Sequence, residues 1–221
     1  MTQKKLIAIF IVVRIEKIDL VMISFHEINH HWNYFLAIEK DLENLSRYIE
    51  FSENNLQTYS IEIAHILLSS SSEVDVMLKQ LCKLISPNSN PNNINDYKNI
   101  ILSSGSDIVD QKILISRYGL EYKPFENWII DGENPVWWKS HNKVKHNRNE
   151  YYYQANLQNV VNSVGALLLV NIYFYEKQFS LNDGKESVGL LETTSKLNPE
   201  SSFIKIPSEH YYKYLVVRSS K

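Results

Sequence analysis

Apolar residues recur along most of this chain at three- and four-residue steps, the spacing of helices with one buried face. Between about Asn29 and Glu50, Trp32, Phe35, Leu42, Leu45 and Ile49 share a side, while Glu39, Lys40, Glu43 and Arg47 fall between them. A first helix is expected there, with Glu43 and Arg47 as an ion pair one turn apart in the favourable order. Ser52 to Asn55 reads as a turn. A second helix should begin near Leu56 or Thr58 and run to about Ile85. Ser69 to Ser72 resembles a linker, yet Ala64, Leu67, Ser71, Val74, Leu78, Leu81 and Ile85 keep the helical spacing straight through it. One long helix is therefore predicted, its small serines letting a neighbouring helix come close.

Pro87 to Asn95 has the composition of a surface loop. A short helix is expected over residues 96–103, and Lys112 to Ser116 alternates like a short strand. Asn134-Pro135 is a helix start, Asn as the cap and Pro in the first helical position. The fourth main helix should cover about Glu150 to Phe179, with Leu157, Val160, Val161, Val164, Leu168, Ile172 and Tyr175 inward. Its most apolar run is interrupted by Asn162, Ser163 and Asn171, which favours a buried bundle helix over a membrane span. The sum is an all-α, antiparallel four-helix-type bundle over residues 22–180. Residues 181–221 read as an irregular C-terminal tail with Phe203–Ile206 and Tyr211–Val217 as short strands. Residues 1–21 form an N-terminal appendage. There Lys4-Lys5 and the apolar run Leu6–Val13 start like a secretory signal, but Arg14 and Glu16 end the run early.

Composition narrows the function classes. The chain has 221 residues, of which 44% are hydrophobic, enough for a core and too many for general disorder. Lys and Arg number 23 against 25 Asp and Glu, a formal net charge of −2, so any binding to nucleic acid must come from a local patch. The single cysteine, Cys82, excludes an intramolecular disulfide framework and a Cys-based zinc site. It lies in an apolar-periodic stretch and reads as a small core residue. A cytoplasmic location is expected.

Such a patch exists. Between Glu133 and Glu150 there is no acid, while Lys139, Lys143, Lys145 and Arg148 carry four positive charges around His141 and His146. Trp137, Val144 and Tyr151 are seven apart and should face the core. At 100° per residue, Lys139, Asn142, His146 and Asn149 then lie on the opposite side. Asn142 and His146 are one turn apart and can act on one ligand. A histidine of near-neutral pKa can move the proton of an RNA 2′-hydroxyl, and fixed cations can stabilise charge at phosphorus. The plainer alternative is a solvated polar helix face.

Other motifs compete. His26-Glu27-Ile28-Asn29-His30 matches HExxH, the pattern in which two histidines hold zinc and the glutamate activates water. The match falls at the helix entry and has no evident third ligand, so a zinc-dependent hydrolase is a minor alternative. His65 reads as a partly buried, satisfied histidine. Glu73 and Asp75 read as surface acids, although either could position His146. His210 has no spacing partner. No Gly-rich phosphate loop and no G-x-S-x-G elbow occurs in the sequence.

The runs Trp137-Trp138 to His146-Asn147-Arg148, Ala155 to Asn159, Trp32 to Phe35, Tyr59 to Glu62 and Ser72 to Asp75 resemble a family of uncharacterised bacterial proteins over about Phe25 to Phe179. That family is similar to the HEPN superfamily (higher eukaryotes and prokaryotes nucleotide-binding). Its helical bundles often act as metal-independent RNases in toxin–antitoxin and phage-defence systems. The superfamily signature is Arg, then a polar residue such as Asn, three or more residues, then His, with two copies meeting across a dimer. The resemblance implies Asn142 at the polar position and His146 as the catalytic acid/base. Lys139, Lys143, Lys145 and Arg148 become RNA phosphate contacts, and no metal or cofactor is called for. The arginine position falls on His141, a departure that removes a permanent charge. Implied partners are a second copy of the chain, RNA, and a cognate antitoxin or defence-system protein, with no membrane. The rival expectation is a catalytically silent interaction module.

Overall fold

In the computed structural model, residues 28–207 are described, and they are mostly helical with one small antiparallel hairpin. Helix α1 covers His30–Leu45 and buries Trp32, Phe35, Ile38, Leu42 and Leu45, the expected apolar face. Each such side chain contributes roughly 1.5–3 kcal/mol by leaving water. The helix ends earlier than expected, so Arg47 lies beyond it and Glu43 pairs instead with Lys40 at 2.7 Å.

Helix α2 is continuous over Ile61–Ile85, through the serines. It starts three to five residues later than the periodicity suggested, because Leu56 and Thr58 offer their carbonyls to Gln158 and Leu157 rather than to a helix. Ser60 caps it by accepting from the Ile63 amide. Ser70 and Ser71 are fully buried, and Ser70 Oγ meets Ser163 Oγ of a later helix at 2.7 Å. That close approach is what small residues on the stripe allow.

Helix α3 (Ile94–Ser103) is capped by Asn93, which accepts from the Asn95 and Asp96 amides. Strands β1 (Ile113–Ile115) and β2 (Leu120–Tyr122) pair antiparallel with Ile113 opposite Tyr122. Gly119, at φ 63°, makes the return. The other edge of β1 receives a bridge from Lys205 to Leu114, so the expected 203–206 strand is reduced to one paired residue. Helix α4 is Val136–His146. Asn134 does not cap it: its amide donates to Asn95 Oδ1, and Pro135 is the residue at the cap. After the short α5 (Arg148–Tyr151), α6 runs from Leu157 to Asp183 with Asn156 as its cap. The expected start near Glu150 fails because the chain leaves the α-helical path after Tyr151: Tyr152–Gln154 form a tight 3-10 turn, and Ala155 (ψ 64°) and Asn156 (ψ 169°) are non-helical before α6 begins. A further helix, α7 (Leu190–Lys196), occupies the segment expected to be irregular.

Most of α6 is buried, and α2 is its main partner, followed by α1 and α4. Gln57 meets Gln158, Ser70 meets Ser163, and Leu81 lines a cavity with Tyr173, so α2 and α6 run in the same direction. His31, at the start of α1, reaches Glu73 at the middle of α2, Gln80 nearer its end and Phe174 late in α6, so α1 runs against both. Gly165 gives the hairpin its seat: a Cβ there would stand 2.8 Å from Ile113 Cγ1. By length and composition α6 could cross a membrane, but 83% of its most apolar window is buried inside the protein. The 1–21 appendage and the Tyr211–Val217 strand lie outside the described residues.

Candidate nucleic-acid interface

Aromatic packing positions α4. Trp137 Nε1 donates to the Pro124 carbonyl at 2.8 Å, and its ring meets Phe125 edge-on, which in turn packs at a tilt of 40° against Trp128. Trp137, Trp138, Ser140, His141 and Val144 are buried, so nearly half the helix circumference is committed to the core. Lys139, Lys143, Lys145 and His146 are exposed on the remaining face, with Asn142 half-buried between them. The outward placement of Lys139 and His146 follows the helical spacing. Asn149 and Arg148 are also exposed but belong to α5, past the break at Asn147.

The cations differ in availability. Lys139 is held by Glu133 at 2.6 Å, and this contact keeps the Glu133 carboxyl below its usual range. Its charge is already committed, which weakens it as a phosphate contact. Lys143 Nζ stands 5.1 Å from the centre of the Tyr151 ring, a cation–π contact that leaves its positive charge uncompensated. Lys145 and Arg148 have no ion pair with any described residue, and neither does His146. Lys143, Lys145 and Arg148 therefore form the open part of the basic surface.

His141, which the sequence resemblance would put at an arginine position, points inward and is 3% exposed. Neither ring nitrogen has a hydrogen-bond partner. Burial, reinforced by Lys145 and His146, pushes its pKa down to about 4. It is neutral at pH 7 and cannot substitute for a guanidinium.

Of the other histidines, His65 is exposed, not partly buried, because it falls on the solvent side of α2. Glu73 accepts from His31 Nδ1 at 2.6 Å, and Gln80 reaches His31 Nε2 at 3.2 Å. Asp75 faces Tyr97, whose hydroxyl pKa is raised by burial and by that carboxylate. Neither acid is placed to position His146. Cys82 is buried, its thiol pushed up to about 12 mainly by burial, which makes it an inert core residue. His30 is exposed at the start of α1. His26, Glu27 and His210 lie outside the described residues, and no set of three His, Cys, Asp or Glu that could hold a metal occurs among the described ones.

The structure adds aromatic residues that charge-spotting missed. Tyr59 and Tyr152 meet edge-on at 5.3 Å, and Tyr59 and Tyr153 are each about half exposed. Tyr59 is bridged to Asn156 through the backbone, which brings it beside the segment leaving the basic helix. The Tyr151-Tyr152-Tyr153 run directly after the island was the available signal. Comparison of the chain with protein-family models, with curated proteins and with solved structures gives no match.

Proposed function

We propose that this protein binds RNA through the C-terminal end of α4, as a HEPN-like four-helix bundle in a bacterial stress or defence system. One observation carries the proposal: Lys143, Lys145, Arg148 and His146 are exposed without an acid bound to them among the described residues, and the tyrosine run that follows sets Tyr151 against Lys143 and Tyr152 against the half-exposed Tyr59. Cations track a phosphate backbone and rings stack on unpaired bases, so the combination suits a single strand. Metal-independent cleavage would need two copies, each offering His146 as acid or base with Asn142 one turn away to orient the phosphate.

A second possibility rests on His141. With the arginine position buried and neutral, the surface lacks the fixed charge that the signature places next to the polar residue. Lys143, Lys145 and His146 also complement the negative end of the α4 dipole, a purely structural use. The protein would then be a catalytically silent interaction module.

Fluorescence anisotropy with a labelled single-stranded RNA, over a salt series, tests binding. Binding should weaken steeply with salt, and the Lys143→Ala, Lys145→Ala, Arg148→Ala triple variant should lower the log–log slope by about one for each lost phosphate contact. A flat slope in wild type removes the RNA proposal. Incubating that RNA with protein in excess EDTA, beside His146→Ala, separates cleavage from binding. Cyclic-phosphate ends from wild type alone support the nuclease, and intact RNA with retained binding supports the silent module.

A further inference from the structure

About 24 Å along α6 from its N-terminus, well away from the basic surface, lies an open cavity of about 790 Å³. Its volume is within the range of small-molecule sites. Leu81 and Ile85 of α2, Ile101 of α3 and Leu190 of α7 supply an apolar side. The loops that complete it turn through Gly105 and Gly189 at φ 80° and 79°, and a Cβ on either would meet nothing within 4 Å. No side chain at these two turns narrows the opening.

The polar side has a definite sign. Asp107, Glu176 and Glu186 line it, against one cation, Lys177. Asp107 accepts the Tyr173 hydroxyl, and Glu176 accepts from Ser180 and Ser187, but a carboxylate keeps further lone pairs after one or two such bonds. Glu186 has no hydrogen bond or ion pair with any described residue. Helices α2 and α3 also end here, at Ile85 and Ser103, and their C-termini add negative potential, which the N-terminus of the seven-residue α7 at Leu190 offsets only in part.

From these features we infer that the cavity is a binding site for a small organic monocation with an apolar body, an alkyl- or arylalkylamine. The aliphatic wall takes the body and Glu186, with Asp107 and Glu176, takes the ammonium. The apolar wall, rather than charge alone, sets the preference: a polyamine brings no apolar body to fill it and must desolvate further charges to enter.

Calorimetric titration of the full chain with three probes tests this assignment. These are 2-phenylethylamine, phenylacetate with the same ring and the opposite charge, and spermidine as a polycation. The amine should bind saturably with one site, phenylacetate and spermidine more weakly. The exposed Glu186→Gln change should cost about tenfold in amine affinity, and Ser104→Trp, which fills the mouth, should abolish binding while the circular dichroism spectrum is unchanged. Phenylacetate binding as tightly as the amine overturns the assignment, as does spermidine binding more tightly. Absence of saturable amine binding, or an unchanged affinity in Glu186→Gln, overturns it equally.

Discussion

Glu39 and His141 are equally inaccessible, each 3% exposed, yet the protein treats them in opposite ways. Glu39 projects from α1 into the C-terminal segment and is surrounded by donors. The Phe203 and Ile204 amides each reach Oε1 at 2.9 Å, joined by the Ser201 hydroxyl, and the Ser202 amide reaches Oε2 at 3.3 Å. Trp32 Nε1 on the same helix donates to the Pro199 carbonyl. The carboxylate thus satisfies backbone groups that a strand would otherwise pair, and it fastens an irregular segment onto α1. His141 has no such donors or acceptors and is tolerated by remaining neutral. Burial of an ionisable group is stabilising in the first region and costly in the second, and partner count decides which.

The largest effect should come from removing the satisfied group. Glu39→Ala leaves several buried amides without an acceptor, each worth about 1–3 kcal/mol, so a loss on the order of 3–5 kcal/mol is expected in urea unfolding. Glu39→Gln retains one carbonyl oxygen and should lose about half as much. A change below about 1 kcal/mol in the alanine variant would mean that water replaces the carboxylate freely.

His141 should act through pH. Its folded pKa of about 4 lies below the unfolded value of about 6.5, so between these limits the unfolded chain binds the extra proton. Stability present above pH 6.5 is therefore lost as pH falls toward 4, by about 3 kcal/mol in total. His141→Leu should flatten this part of the stability–pH curve and cost little at pH 7, since no hydrogen bond is lost. If both proteins show the same slope, another group carries the acid sensitivity.

Which of these features could be read from the sequence follows from how local each one is. Helix α2 was legible because seven positions keep one stripe through the serines, and burial of that stripe outweighs the loop-like composition. The outward face of α4 was legible for the same reason. His141 was legible too: three residues from Val144, it is only about 60° from the inward direction. The role of Glu39 was hidden because its donors lie about 160 residues away in a segment with no periodicity. Helix α7 is too short to show a period, and the break at Asn147 is set by backbone geometry that no composition signal marks. The cavity depends on four separate segments converging, which no single stretch encodes.

The smallest effect should come from two adjacent serines that differ only in whether the hydroxyl has a partner. Ser70 and Ser71 are both fully buried on α2. The Ser70 hydroxyl is shared between Ile66 O and Ser163 Oγ, each at 2.7 Å, whereas Ser71 Oγ has no partner. Deleting the two hydroxyls removes nearly the same volume. Ser70→Ala should cost about 1 kcal/mol, the net worth of a buried hydrogen bond, and should weaken the seam between α2 and α6. Ser71→Ala should be neutral or slightly stabilising, since it removes an unsatisfied polar atom from the core. Chemical denaturation of the two single variants measures the difference directly. If Ser71→Ala proved the costlier of the two, partner count would not be what separates the Glu39 region from the His141 region. Local packing would then have to explain both.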